Sequence, residues 1–392
     1  MGHGAQGSNA AVENGNGKMP LFTPMELGPF KLNHRVIMAP LTRCRSTGYV
    51  PQEIAAVYYG QRASPGGLVI AEATGISESA QGFPNAPGIW SKEQVEAWKP
   101  VVKAVHDKGA IFFCQIWHVG RVSHTAYHNG AAPPSSTAQR VINGQVTLPD
   151  GETAADFSTP RAIDTSEVAQ YVEYFRTAAR NAIEAGFDGV EIHGAHGYLI
   201  EQFLKDSVND RTDKYGGSLS NRSRFMEEVV EAVVKEVGAE RVGMRISPFT
   251  TIWDASDSDP SALGLHIANT LNKYNLLYLH VIEPRFTFAG ADDFGLLETE
   301  NSLWPIRRAY KGTFIAAGGF TRESGNDAIA SGRVDAIVYG RYFISNPDLP
   351  KRFELGAPLN KYNRETFYNY PKENPSFGYT DYPTLDETTE TK

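Results

Sequence analysis

The sequence predicts a single-domain α/β fold, a (β/α)8 TIM barrel with one long excursion after its third strand. Eight short apolar runs recur along the chain with helical patterns between them, the signature of a parallel sheet with covering helices. The runs are nearly continuous in hydrophobic residues, as strands covered on both faces should be. Eight units in about 320 residues fit a closed barrel better than an open doubly wound sheet. The GxGxxG turn expected of a dinucleotide-binding open sheet is missing after the first run.

In order, the runs are Arg35–Arg43 (RVIMAPLTR), Leu68–Thr74 (LVIAEAT), Ala110–His118 (AIFFCQIWH), Gly189–His196 (GVEIHGAH), Arg241–Ser247 (RVGMRIS), Tyr278–Pro284 (YLHVIEP), Thr313–Gly319 (TFIAAGG) and Ala336–Arg341 (AIVYGR). Between the second and third, Gln94–Lys108 places Val95, Trp98, Val101, Val102 and Val105 on one helical face. Ser91 with Gln94 three residues on is a capping box, and Gly109 ends that helix. Val168–Ala185 and Arg224–Val237 are equally amphipathic and finish at Gly186 and Gly238. Ser123–Pro160, rich in Pro, Gly, Ser and Thr, is expected to run over the barrel mouth, and the Tyr- and Pro-rich Phe367–Leu385 to wrap the surface. Residues 1–17 are Gly/Asn/Ala-rich and read as a disordered tail. The barrel is therefore assigned to 18–385 and a short C-terminal tail to 386–392.

Composition narrows the partners. The 392 residues are 41% hydrophobic with a net charge of −8 and no basic run, so neither nucleic acid nor an anionic membrane is expected. Cys44 and Cys114, 70 positions apart, form no disulfide framework and no metal-finger spacing. No apolar stretch approaches the length of a bilayer span. No signal peptide and no Ser-Lys-Leu-type peroxisomal address is recognised. The expectation is a cytoplasmic protein.

In a barrel of this kind chemistry lies at the carboxyl ends of the strands. The fourth end carries His193, His196 and Tyr198 within six positions of a glycine-rich turn. Two imidazoles can donate hydrogen bonds to a carbonyl oxygen, and a phenol beside them can protonate the neighbouring carbon. A structural histidine and a core tyrosine are the bland alternative. Gly318-Gly319 and Gly340-Arg341 fall at the seventh and eighth ends, where such barrels often hold phosphate. Thr42, Gln115 and Arg245 are further polar groups at strand ends. No end carries the lysine of a Schiff-base aldolase. His193, His196 and at most His118 make a poor metal set, so no metal is expected. Glu72, Glu191 and Glu283 lie in or near strands, but Glu191 could equally pair with Arg245, which disfavours a glycosidase. Spacing supports a phosphate-bearing cofactor across the mouth with the His/His/Tyr group facing a second ligand.

Eight ordered motifs resemble the old yellow enzyme family of FMN-dependent ene-reductases, in its plant 12-oxophytodienoate reductase branch. They are APLTR (Ala39–Arg43), FCQIWHVGR (Phe113–Arg121), AGFDGVEIHGAHGYL (Ala185–Leu199), NDRTDKYGGS (Asn209–Ser218), GMRISP (Gly243–Pro248), VIEPR (Val281–Arg285), AAGGF (Ala316–Phe320) and YGRYFISNPDLP (Tyr339–Pro350). The resemblance implies non-covalent FMN held by Pro40, Leu41, Thr42, Ala73, Gln115, Arg245, Gly319, Gly340 and Arg341. It implies that His193 and His196 bind the substrate carbonyl, that Tyr198 is the proton donor and that Arg285 contacts substrate. The pair of histidines, where other branches have Asn at the second, points to the plant branch. Phe83 and Ile252 fall near the pocket mouth.

The implied reaction has two steps. NADPH reduces FMN and leaves; hydride then passes to the β-carbon of an enone while Tyr198 protonates the α-carbon. A 12-oxophytodienoate-type cyclopentenone of oxylipin and jasmonate metabolism is the implied substrate. A general enone-detoxifying reductase, a flavin protein without turnover and another FMN barrel oxidase are the alternatives. A monomer or weak homodimer is expected.

Overall fold

The structure, a computed structural model, describes residues 19–286 and 300–386. The proposed tail 1–17 lies outside the described residues, as does 386–392 beyond Asp386. All eight apolar runs are strands. They are β1 (Val36–Met38), β2 (Leu68–Gly75), β3 (Ile111–Trp117), β4 (Gly189–Gly194), β5 (Val242–Ile246), β6 (Tyr278–Ile282), β7 (Phe314–Ala317) and β8 (Ala336–Tyr339). Each pairs in parallel with the next, and β8 pairs with β1 to close the barrel.

Both faces of these strands are buried, which is why their sequences lack polar alternation. One set of residues, including Val69, Phe112, Val190, Met244 and Leu279, faces outward into the helix layer. That layer includes Trp98 and Val102 from helix Lys92–His106, Phe175 from Val168–Glu184 and Phe225 from Arg224–Val237. The inward set, including Ile37, Leu68, Phe113, Tyr278 and Ile315, fills the barrel floor. Leu27 and Leu32 of the hairpin Met25–Leu27/Phe30–Leu32 seal it from below. The predicted capping box forms: Gln94 N–H donates to Ser91 Oγ at 3.2 Å, and Ser91 N–H to Gln94 Oε1 at 3.1 Å.

The excursion after β3 folds over the mouth. Val141, Val146 and Phe157 pack there with Trp117, Phe83 and Tyr198. The C-terminal segment Phe367–Leu385 runs mostly over the surface, as expected, with Phe367, Gly378 and Tyr379 buried. Buried arginines bind its backbone carbonyls and strap it down at those points. Arg43 donates to Phe367 O at 3.1 Å and Gly378 O at 2.7 Å, and Arg62 to Tyr379 O at 3.1 Å. Tyr379 is thereby 1% exposed and stacks on Tyr58 at 4.1 Å between centroids. Among the described residues, no helix is long and apolar enough to cross a membrane.

Candidate active site

Register decides what β4 presents. Glu191 lies opposite Gln115 of β3, and His193 opposite Arg245 of β5. Successive strand residues alternate in direction, so Glu191 and His193 both point into the barrel. After Gly194 the chain turns sharply. His196 and Gly197 have left-handed φ of +57° and +73°, and a Cβ on Gly197 would sit 2.4 Å from Ile252 O. This turn gathers the three predicted groups: ring centroids lie 5.7 Å apart for His193 and His196 and 5.1 Å apart for His193 and Tyr198. Trp117 stands edge-to-face against Tyr198 at 5.1 Å.

The donor atoms can be assigned. Ala195 N–H donates to His193 Nδ1 at 3.3 Å, so Nδ1 is the bare acceptor and Nε2 carries the hydrogen. His196 Nε2 is buried without a hydrogen-bond partner among the described residues. Burial, followed by the positive charge of Arg245, holds both imidazoles well below the usual histidine range. Both are therefore neutral donors at neutral pH. Burial raises the Tyr198 phenol above the ordinary value, so it too keeps its proton.

Beneath these groups lies a polar belt within an otherwise apolar barrel. Gln115 Nε2 donates to Glu191 Oε1 at 2.7 Å, and His280 Nδ1 lies 2.9 Å from Glu191 Oε2. Burial pushes the Glu191 carboxyl up, but His280, Arg245 and Gln115 outweigh it and hold the group below the usual carboxylate range. Burial also lowers His280 against the pull of Glu191. The pair is thus a carboxylate accepting from a neutral imidazole. The suggested Glu191–Arg245 contact is replaced by Glu191–His280, with Arg245 nearby as a charge.

A cleft opens at the carboxyl ends of the strands. Pro40, Leu41, Thr42, Ala73, Gln115, Arg245, Gly319, Gly340 and Arg341 all line it, together with His193, His196 and Tyr198. The lining chemistry suits FMN. Among the described residues, Arg245 Nε is buried without a hydrogen-bond partner, and a buried donor of this kind calls for an acceptor from a bound group. Gly318 and Gly319, with φ of +127° and +72°, let bare backbone border the cleft beside Arg341.

Other expected residues lie elsewhere. Arg285 does not line the cleft; its Nε donates to Gly318 O at 3.1 Å, and its guanidinium covers the Phe320 ring at 4.8 Å. Phe286 takes the lining position instead. Phe83 backs the cleft, its ring 6.4 Å from Tyr198, and Ile252 lies behind Gly197. His118 faces outward to Ser79 at 3.2 Å. Glu72 accepts from Tyr59 Oη and Arg43 N–H, away from any second carboxylate. Among the described residues, no cluster of metal-ligating side chains forms. Sequence reasoning missed Phe367 and Tyr368, which the C-terminal strap brings into the lining. The aromatic run Phe367–Tyr370 was the available signal.

Known proteins share this architecture throughout. Residues 20–360 match the NADH:flavin oxidoreductase / NADH oxidase family. The chain is 60% identical over 367 residues to a putative 12-oxophytodienoate reductase 11 of Oryza sativa subsp. japonica, covering 93% of this chain and 98% of that one. It is 58% identical to 12-oxophytodienoate reductase 2 of Arabidopsis thaliana over 94% of this chain and 97% of that one. Among solved structures, morphinone reductase superposes with a TM-score of 0.88 at 42% identity, covering 96% of this chain and 99% of that one. An old yellow enzyme homologue from Zymomonas mobilis superposes at 0.86 with 41% identity, over 93% of this chain and 99% of that one. The chain belongs to the NADH:flavin oxidoreductase / NADH oxidase family, as an FMN-dependent ene-reductase of the old yellow enzyme type similar to the 12-oxophytodienoate reductases.

Proposed function

We propose that the cleft reduces the C=C bond of a cyclic enone of the 12-oxophytodienoate type with NADPH as reductant, and that His193, His196 and Tyr198 carry the chemistry on the substrate. The observation behind this reading is the convergence of two neutral imidazoles and one protonated phenol on the cleft that Arg245 also lines.

Bound FMN supplies the hydride carrier between NADPH and the β-carbon of the enone. Thr42, Gln115 and Arg245 would hold its ring, and Gly319, Gly340 and Arg341 its phosphate. Arg245 would stabilise negative charge on the reduced ring, with Glu191 behind it as counter-charge. His193 Nε2–H and the His196 imidazole donate to the carbonyl oxygen, where charge builds as the β-carbon accepts hydride. One such donor is worth about 3–4 kcal/mol in comparable sites. Tyr198 then delivers its proton to the α-carbon. Trp117 and the Val141, Val146 and Phe157 cluster keep that end of the cleft dry. The names of the plant relatives support the cyclopentenone, and the solved complex of morphinone reductase with tetrahydroNAD supports nicotinamide as the reductant class.

Acid precipitation of the purified protein should release FMN. Anaerobic NADPH should bleach the flavin faster than NADH, and 12-oxophytodienoate should restore its colour. Release of FAD, faster reduction by NADH, or no reoxidation by that enone would each refute the corresponding part.

A further inference from the structure

The two carbonyl donors are oriented in different ways. His193 is fixed through its ring, because Nδ1 accepts from Ala195 N–H at 3.3 Å. The backbone of His196 is gripped instead: its N–H donates to Ser247 Oγ at 2.7 Å. The next N–H, that of Gly197, donates to Glu201 Oε2 at 2.5 Å. The two successive N–H groups of the turn are thus held by two different side chains, Ser247 and Glu201.

Glu201 is tied on every side. Ser247 Oγ donates to its Oε1 at 2.6 Å, and Lys205 Nζ lies 3.2 Å from its Oε2. Lys205 also donates to the carbonyls of Ser247, Thr250 and Ala255 at 3.2, 2.5 and 3.1 Å. The side chains of Lys205 and Glu201 are 0% and 2% exposed. One buried ion pair therefore bolts the exit of β4 to the exit of β5. Among the described residues, His196 Nε2 has no such anchor.

We propose that Glu201, with Ser247 and Lys205, is the positioning residue for His196, setting where that imidazole meets the substrate oxygen by holding the His196–Gly197 backbone in its left-handed turn. This rests on the reading that His193 and His196 bind the carbonyl. Glu201 does not touch substrate; it acts through the backbone.

The test is a double-mutant cycle on the FMN-loaded full chain. Ser247→Ala removes the acceptor for His196 N–H together with the hydroxyl that donates to Glu201 Oε1, and leaves both charges of the ion pair in place. Glu201→Leu combined with Lys205→Met removes both charges together, so no lone charge is left buried. The apparent Kd for cyclohexenone is read from the concentration dependence of stopped-flow flavin reoxidation. Ser247→Ala should raise it about tenfold in the otherwise native protein and less than about twofold in a His196→Ala background. The paired replacement should show the same non-additivity, with flavin reduction by NADPH and FMN retention unchanged. Equal losses in both backgrounds, no loss in either, or a parallel fall in FMN affinity would overturn the proposal. If His196→Ala alone leaves enone affinity intact, the carbonyl-binding reading fails and the proposal fails with it. If the paired replacement does not fold, Ser247→Ala decides alone.

Discussion

The neutrality of His193 and His196 can be read from the pH dependence of the enone step. An ordinary imidazole titrates at 6.5. Between about pH 7.5 and about pH 5.5 such a group passes from roughly nine-tenths neutral to roughly one-tenth neutral. A rate requiring it neutral would fall about tenfold, and one requiring two such groups about a hundredfold. In the structure burial, then the charge of Arg245, holds both groups well below that value. Neither imidazole gains a proton in this window. The phenol of Tyr198 is shifted upward by burial from its ordinary 10.0 and stays protonated on the alkaline side. Reoxidation of pre-reduced flavin by saturating cyclohexenone should therefore vary less than about twofold from about pH 5.5 to about pH 9. Stopped-flow absorbance across a buffer series measures it. An acid limb with a midpoint near 6.5 would show a donor histidine titrating normally and refute the reasoning.

Two further outcomes follow from the same side chains. His34, His118, His193 and His280 are each at most 8% exposed, and burial lowers the pKa of all four. Their stability contribution is complete above the unfolded pKa and is lost as pH falls toward the folded one, because only the unfolded chain takes up protons in between. Each group then costs about 1.4 kcal/mol per pH unit well below 6.5, so thermal melts should show Tm falling steeply under about pH 6; a flat Tm to about pH 4.5 would contradict this. Arg285→Ala should lower affinity for a carboxylate-bearing cyclic enone and for cyclohexenone by the same small factor, about twofold to threefold, since the guanidinium binds Gly318 O outside the lining. A selective loss of the acid, read from steady-state KM, would place Arg285 at the substrate.

The barrel was legible because its strands are buried on both faces, which writes each one as an unbroken apolar run such as Val36–Met38 or Phe314–Ala317. The His193/His196/Tyr198 group was legible because six consecutive positions hold it. The polar belt was harder to read. Glu191 and His280 are 89 positions apart, and only the closed register of β4, β5 and β6 brings them to 2.9 Å. The buried anchor points of the C-terminal strap were hidden for a related reason. Arg43, Arg45 and Arg62 bind backbone carbonyls of that segment, and a carbonyl has no residue type to betray it. Arg285 sits beyond the end of β6, where strand alternation no longer fixes the direction of its side chain.

The central claim is that Tyr198 gives its proton to the enone while the flavin's own reduction proceeds without it. Tyr198→Phe keeps the ring that packs on Trp117 and deletes only the hydroxyl. Anaerobic stopped-flow absorbance of the flavin resolves reduction by NADPH and reoxidation by an enone as separate phases. Reduction should stay within about twofold of the native rate, while reoxidation slows about 10²–10⁴-fold, the ordinary size of general-acid catalysis. Equal slowing of both phases would show Tyr198 shaping the cleft rather than acting as the acid.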